Sequence, residues 1–264
     1  MKISDSNTLL KCQNEVDMTK ISFKVQKALA YSILSAFFLF ILLTATDNLR
    51  YDLILSERQR LGMALLTTLW ISLLTLLISM VGGFLFFLAM RSKIPFIKTL
   101  SDTLKEIVMG TPLLVMVFLM VYVFGIKMNL HNKMTLGIMA LTAYMIPYIA
   151  NAYETASAVV DKDQYVVMNL YHFNLYERYR YIILPQMIRP MIPAMLNNLS
   201  SIIKGSALLK IVSVSEISYI ITVISNKNYA SIEGYLIMWI MYLIITIPLS
   251  LIASSLARRF SSEN

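Results

Sequence analysis

Long apolar runs constrain the fold of this chain more than any other feature. Residues 61–90 and 235–256 contain no charged side chain. An α-helix needs about 20 apolar residues to cross the hydrocarbon core of a bilayer. The whole chain is 58% hydrophobic and only 14% charged, whereas about a quarter of the residues in a soluble domain are charged. We therefore predict an all-α polytopic membrane protein.

Hydropathy predicts six membrane-spanning helices separated by polar segments. The predicted spans are residues 28–46, 61–90, 106–126, 134–153, one helix within 192–224, and 235–256. A polar N-terminal segment, residues 1–27, precedes them. Residues 156–190 are rich in charged and aromatic side chains and are too polar to cross a bilayer. The sequence thus predicts one long extramembrane segment after the fourth span.

The Lys and Arg residues give the chain a net charge of +8 and lie between the apolar runs. The predicted face with both termini, residues 91–105 and residues 156–190 holds more than twice as many of them as the opposite face. Cytoplasmic loops of membrane proteins carry an excess of Lys and Arg. Both termini and residues 156–190 are therefore predicted to be cytoplasmic, and the scattered charge argues against a nucleic-acid-binding face.

The polar segment 156–190 carries a spaced motif. It closes with three residues of an Ile-x-Leu-Pro sequence: Ile182, Leu184 and Pro185. This spacing resembles the EAA loop of ABC importer permeases, which reads Glu-Ala-Ala, three residues, Gly, nine residues and Ile-x-Leu-Pro. In that register His172 occupies the Gly position, and the Glu-Ala-Ala positions hold Val166, Val167 and Met168. The glutamines usual on either side of the motif correspond to Gln164 and Gln186.

Further stretches, in the same order along the chain, resemble the polar amino acid uptake subgroup of these permeases. They are residues 62–69, 91–92, 106–114, 152–154 and 193–208, followed by Glu216. Met109 and Ser157 stand where the family usually has Arg. The likeness covers residues 60–260. It implies a five-helix ABC importer permease core with one additional N-terminal transmembrane helix, residues 28–46.

The resemblance implies a permease subunit that moves a polar amino acid across the bacterial cytoplasmic (inner) membrane. ATP would be bound and hydrolysed by a separate ABC ATPase, so no catalytic residue and no cofactor is expected in this chain. The other implied partners are a periplasmic or lipid-anchored amino-acid-binding protein, a second permease copy or paralogue, and membrane lipid. The sequence itself contains no Walker A motif.

The resemblance implies that residues 161–185, within this polar segment, form one or two short helices on the membrane surface that bind the ATPase. Aromatic anchors often dominate such contacts, and five side chains are expected to serve: Tyr165, Val166, Leu170, Phe173 and Tyr176. Glycine at the His172 position would permit a turn that other residues disfavour. No metal site is expected, because the only other histidine, His131, is predicted to lie across the membrane.

Polar residues in or beside the apolar spans are the candidates for a translocation pathway. They are Glu106, Glu154, Asn198, Lys204 and Glu216. Ionisable groups within a bilayer are costly and are functional candidates by default, although the same residues also serve to hold a helix bundle together. The acidic residues among them suggest a basic amino acid as cargo.

Two alternatives stay open at this point. The first keeps the fold and changes the cargo to an osmoprotectant or another small solute. The second is a non-transporting membrane scaffold subunit, which the divergent opening of the EAA loop motivates.

Overall fold

The computed structural model describes residues 25–40 and 49–261. The described residues form helices and connecting turns, without a strand. In chain order the α-helices are α1 Val25–Phe40, α2 Tyr51–Leu55, α3 Arg58–Met90, α4 Pro95–Gly110, α5 Leu113–Phe118, α6 Lys133–Ser157, α7 Lys162–Leu170, α8 Leu175–Glu177, α9 Leu184–Ser206, α10 Ile217–Asn228 and α11 Ser231–Ser261. Contacts divide the chain into two units, up to Arg50 and from Tyr51 onward.

The first unit contains α1, an apolar helix with exposed side chains. It coincides with most of the predicted first span, residues 28–46, of which residues 41–46 lie outside the described part of the chain. Most of the predicted N-terminal segment, residues 1–24, lies outside it too. The additional N-terminal transmembrane helix therefore stays a prediction.

Three helices of the second unit are long and apolar enough to cross a membrane: α3, α6 and α11. They match the predicted second, fourth and sixth spans. Two further pairs of helices pass the same test as bent spans. The 33 residues of α3 extend about 50 Å at 1.5 Å per residue, so α3 exceeds the roughly 30 Å thickness of a bilayer core.

A stripe of small residues on α3 lets α6 approach closely. Thr68, Ser72, Thr75 and Ser79 are each 0% exposed and repeat at helical spacing. At the next turn a Cβ on Gly83 would lie 2.7 Å from Cγ2 of Ile149. Small residues permit this kind of contact in membranes, where dispersion and packing hold helices together. Thus α3 and α6 form the tightly packed centre of the bundle.

The predicted third span, residues 106–126, is wrong at its start. Helix α4 ends at Gly110 and α5 begins at Leu113, with 103° between the two axes. Pro112 has no backbone N–H and disfavours helical geometry in the residue before it; Thr111 is extended (ψ 127°). The apolar run is therefore split into α4, which carries Glu106, and a shorter helical segment that continues from α5 as a π-helix over Leu119–Gly125.

The predicted fifth span, within residues 192–224, is also bent. Helix α9 passes into a 3₁₀ turn, Ala207–Val212, and α10 leaves at 49° to the preceding helix. Ser213, in the left-handed conformation (φ 62°), ends the 3₁₀ turn. The bend brings α10 against the first turns of α3 and α11, where Leu61, Ile221 and Ile237 share a core.

Large apolar side chains cover the outside of the second unit. On α11 they include Ile240, Ile244 and Leu251, which are 49%, 63% and 63% exposed. An apolar surface of this extent exceeds what a water-soluble monomer exposes. The second unit is therefore an all-α membrane bundle whose outer faces suit lipid, as the composition predicts.

Candidate functional site

The polar segment 156–190 folds into a helical hairpin, here called the α7–α8 hairpin (residues 161–183). Asp161 caps α7, because its Oδ1 accepts a hydrogen bond from the backbone N–H of Asp163 at 3.0 Å. At the other end of α7, the N–H of Phe173 donates to the carbonyl of Met168 at 3.0 Å and that of His172 donates to Asn169 at 3.1 Å. These two bonds define a Schellman motif that ends the helix.

His172 lies at the left-handed position of that motif, with φ 52°. This is the position that the family's glycine occupies in the aligned register. A left-handed conformation favours glycine because it has no Cβ, while histidine is among the side chains that tolerate it better than most. The predicted turn is thus present, formed around histidine in place of glycine.

Replacing His172 with Gly is expected to stabilise the turn, because the left-handed conformation costs an L-residue about 1 kcal/mol. Hydrogen exchange of the His172 and Phe173 amides should slow about fivefold in His172→Gly and accelerate in His172→Val. Asn129→Gly is the matched control. Asn129 is also left-handed, with φ 55°, but it lies after the α5 segment, so this change should leave exchange of the His172 and Phe173 amides unaltered. Unchanged exchange in His172→Gly would contradict a strained turn.

A second cap orders the other side of the turn. The Asn174 side chain accepts from the N–H of Glu177 at 2.9 Å, and the Glu177 carboxylate accepts from the N–H of Asn174 at 2.8 Å. This reciprocal arrangement is a capping box. The Nε of Arg178 also donates to the carbonyl of Phe173 at 2.7 Å. The four residues between α7 and α8 are therefore held from both sides.

Buried side chains fix the hairpin to the bundle. Met168 is 1% exposed and Ile183 is 2% exposed, and both belong to the core formed by the ends of α3 and α6. Ile182 packs against the same core. Gln186 donates from Nε2 to the Gln164 side chain at 2.8 Å, which joins α7 to α9. The two glutamines flanking the motif thus bind each other.

Arg91, at the end of α3, links three elements at the base of the hairpin. Its guanidinium carbon lies 5.5 Å from the ring centroid of Phe87 and 5.6 Å from that of Tyr165, within cation–π range. Its Nη1 donates to Oγ of Ser157 at 3.0 Å. Sequence reasoning missed this cluster, although the replacement of the family's Arg by Ser157 was a visible signal.

The outer face of the hairpin is apolar and exposed. Its large side chains are between 49% and 73% exposed: Val166, Val167, Leu170, Tyr171, Leu175 and Tyr176. We call these six residues the exposed hairpin face. Tyr165 and Phe173, also expected to anchor a partner, instead pack against the core of the bundle. The difference follows from helical periodicity, which directs Tyr165 and Met168 to one side of α7 and Val166 and Leu170 elsewhere.

The closing residues of the motif lie where the hairpin joins α9. A π-helical stretch, Arg178–Ile183, precedes half-buried Leu184 and exposed Pro185. Proline cannot donate the backbone hydrogen bond that a regular helix needs at that position. The π-helical turn lies directly before Pro185, where the regular hydrogen-bond pattern lacks this donor. The chain therefore passes from the hairpin to α9 without a break in helical structure.

Glu216 is the fully buried carboxylate among the predicted pathway residues, with 0% exposure. Its Oε1 accepts from the N–H of Tyr219 at 2.8 Å and caps α10. Its Oε2 accepts from the hydroxyl of Tyr242 on α11 at 2.9 Å. The next N–H, of Ile217, donates to Oγ1 of Thr68 on α3 at 3.2 Å. Glu216 therefore stands at the junction of α3, α10 and α11.

The other predicted pathway residues do not join Glu216. Glu106 is exposed on α4, Lys204 is exposed in the last turn of α9, and Asn198 donates to Ala194 of its own helix at 3.0 Å. Glu154 lies 4.0 Å from Nζ of Lys105, near the hairpin end of α6. Since Thr68 and the end of α3 are about 35 Å apart along the helix, Glu154 and Glu216 do not form one site for a cationic group.

Fold and site together define an all-α, multi-pass membrane protein with an ordered helical hairpin outside its apolar spans. The sequence profile of the binding-protein-dependent transport system inner membrane component family matches residues 86–263. The chain belongs to this family. It is therefore a membrane transport component, as the EAA-like spacing predicted.

Individual relatives agree with the family. The chain is 27% identical over 220 residues to the "Probable amino-acid permease protein YxeN" of Bacillus subtilis, covering 81% of this chain and 97% of the relative. It is 29% identical over 161 residues to the "Probable glutamine ABC transporter permease protein GlnM" of the same organism, covering 60% of this chain and 73% of the relative.

Solved structures share the fold. An amino acid ABC transporter crystallised with histidines has a chain that aligns with a TM-score of 0.71 and 24% identity, over 80% of this chain and 99% of that one. A chain of the MetNI methionine ABC transporter in an inward-facing conformation aligns with a TM-score of 0.62 and 14% identity, over 77% and 97% of the two chains.

Proposed function

We propose that the chain is the permease subunit of an ABC importer for a polar amino acid. The family assignment supports transport, and the names of the relatives support an amino acid as cargo over an osmoprotectant. ATP is hydrolysed by a partner ABC ATPase, and this chain contributes the membrane pathway. A solute-binding protein delivers the amino acid, and a second permease copy or paralogue completes the pathway.

The charge distribution supports one orientation in the membrane. The hairpin end of the bundle carries the Lys and Arg excess, including Arg91, Lys93 and Arg178. The positive-inside rule therefore supports a cytoplasmic location for the hairpin and both termini, in the bacterial cytoplasmic membrane. The ATPase meets the chain on this side.

The exposed hairpin face carries the proposal. Six large apolar side chains stand on a hairpin whose turn is capped on both sides and whose inner residues are buried. Such a surface in water favours a partner that covers it. Because Met168 and Ile183 reach into the core between α3 and α6, motion of a docked ATPase passes directly to the spanning helices. This supports a coupling role despite the altered Glu-Ala-Ala positions.

Purification of the full chain from its native membrane tests the proposal. We expect a tagged chain, extracted in mild detergent, to bring with it an ABC ATPase and a solute-binding protein that mass spectrometry identifies. A second ABC permease from the same membrane serves as the control for extraction. Recovery of the chain alone, while the control retains its ATPase, would contradict the proposal and favour the scaffold alternative.

A further inference from the structure

A cavity of about 570 Å³ lies between the α3–α4 corner and the α7–α8 hairpin. Three cationic side chains line it: Arg91, Lys93 and Arg178. Much of the remaining wall is apolar, with Leu88 and Ala89 from α3, Ile97 from α4, and Leu175 and Ile183 from the hairpin. None of the lining residues is acidic. The cavity therefore combines positive charge with an apolar wall.

The three cations lack an acidic partner within the described residues. There, no carboxylate lies within the 4.0 Å ion-pair distance of Arg91, Lys93 or Arg178. Three like charges around one cavity repel each other, and an anion between them relieves that repulsion. The electrostatics of the cavity thus favour a negatively charged ligand.

Both arginines are held in place by contacts that leave donors for a ligand. Arg91 lies between the rings of Phe87 and Tyr165 and donates one bond to Ser157. Arg178 donates one bond, from Nε to the Phe173 carbonyl. A guanidinium group has five N–H donors in a planar fork. Planar forks fixed in this way are suited to the oxygens of a phosphate group.

Helix α4 is amphipathic. Its exposed large apolar residues recur every three or four positions and form one face: Phe96, Leu100, Leu104 and Ile107. A helix of this kind is suited to the plane of the membrane–water interface, which would place the cavity at the level of lipid head groups. The cavity opens beside the first turn of α4, at Ile97.

We propose that this cavity binds a phosphate group, supplied by the head group of an anionic phospholipid. The two arginines and Lys93 bind the phosphate, and the acyl chains lie along the apolar wall. Basic pockets next to membrane helices recognise anionic lipids through the same combination. A soluble phosphate compound offers the same chemistry without the acyl chains.

Native mass spectrometry of the full chain tests the site, with added dioleoyl phosphatidylglycerol compared against dioleoyl phosphatidylcholine. We expect wild type to retain phosphatidylglycerol selectively. Lys93→Gln should bind it about fivefold more weakly, and Lys93→Gln with Arg178→Gln about 25-fold more weakly, given the contribution of each cation near a lipid surface. Lys98→Gln removes the same charge from α4 outside the cavity and should bind as wild type does. Size-exclusion elution confirms that each variant is folded.

The outcomes separate the possible sources of the ligand. Equal phosphatidylglycerol retention by wild type and the double variant overturns the lipid site. Thermal stabilisation of wild type by inorganic phosphate alone, absent in the double variant, supports the phosphate chemistry and assigns a soluble source. If the double variant loses its ATPase and keeps phosphatidylglycerol, the proposal is overturned and the two cations serve the hairpin and its partner instead of a lipid. Failure of the importer proposal would leave the lipid measurement unaffected.

Discussion

Replacing Leu170 and Tyr176 with Asp is expected to abolish co-purification of the partner ATPase and ATP-driven uptake. Leu170 is 71% exposed and Tyr176 is 68% exposed, so neither contributes to the core of the bundle. Docking would bury each introduced carboxylate against an apolar surface without a partner charge. Central apolar anchors contribute about 2 kcal/mol or more each, so the loss for the pair is at least about 4 kcal/mol, close to a thousandfold in affinity.

The matched control places the same chemistry at the other end of the bundle. Met128 is 58% exposed and Tyr229 is 92% exposed, and Met128→Asp with Tyr229→Asp should leave ATPase recovery unchanged. Tyr165 is unsuitable for this test, because it packs beneath Arg91 and a charge there would disturb the hairpin itself. Normal ATPase recovery by the Leu170 and Tyr176 double variant would refute the role of the exposed hairpin face.

Replacing Glu216 with Ala is expected to lower the stability of the bundle by about 3–5 kcal/mol. The substitution leaves the Tyr242 hydroxyl and the Tyr219 N–H without their acceptor in a buried site, and each orphaned group costs about 1–3 kcal/mol. It also leaves a cavity where the carboxylate was. Glu216→Gln retains the shape and one acceptor oxygen, so it should lose roughly half as much stability.

Heating in detergent followed by size-exclusion chromatography measures this effect. Glu154→Ala is the matched control, because the Glu154 side chain is 56% exposed and its 4.0 Å contact with Lys105 is worth less than about 1 kcal/mol. Tyr242→Phe should reproduce part of the loss. A Glu216→Ala protein as stable as wild type that nevertheless fails to transport would assign Glu216 to the translocation pathway instead of the bundle junction.

The sequence was most informative where apolar runs are unbroken. The class of protein and the spans that became α3, α6 and α11 followed from hydropathy, since lipid solvation acts on side chains summed over a whole helix. Hydropathy does not report backbone geometry, so the corner at Thr111–Pro112 was missed inside an apolar run. The proline was the available signal, and its effect depends on neighbouring helices that the sequence does not show.

The position of the hairpin turn was predictable from the sequence, whereas the side chains that face the bundle were predictable only in part. The distance from the Gly position to Pro185 located the turn at His172, because a Schellman motif depends on local backbone geometry. The side of α7 that is buried depends on contacts with residues distant in the sequence. Tyr165 points inward because it packs against Arg91, a residue 74 positions earlier in the chain. Likewise, Tyr242 as the partner of Glu216 follows only from the packing of α11 on α10.

The double capping of the α7–α8 hairpin has a mechanical meaning. A loop that becomes ordered only when the ATPase binds would deform as the ATPase moves. Part of the ATPase's displacement would then fail to reach the spanning helices. Three features restrict backbone motion between the exposed hairpin face and the ends of α6 and α9: the Schellman turn, the capping box and the Gln164–Gln186 pair. If the hairpin binds an ATPase as proposed, a rigid turn would transmit most of the ATPase's displacement to the spanning helices. Loosening the turn would then reduce the displacement of those helices even with the contact surface intact.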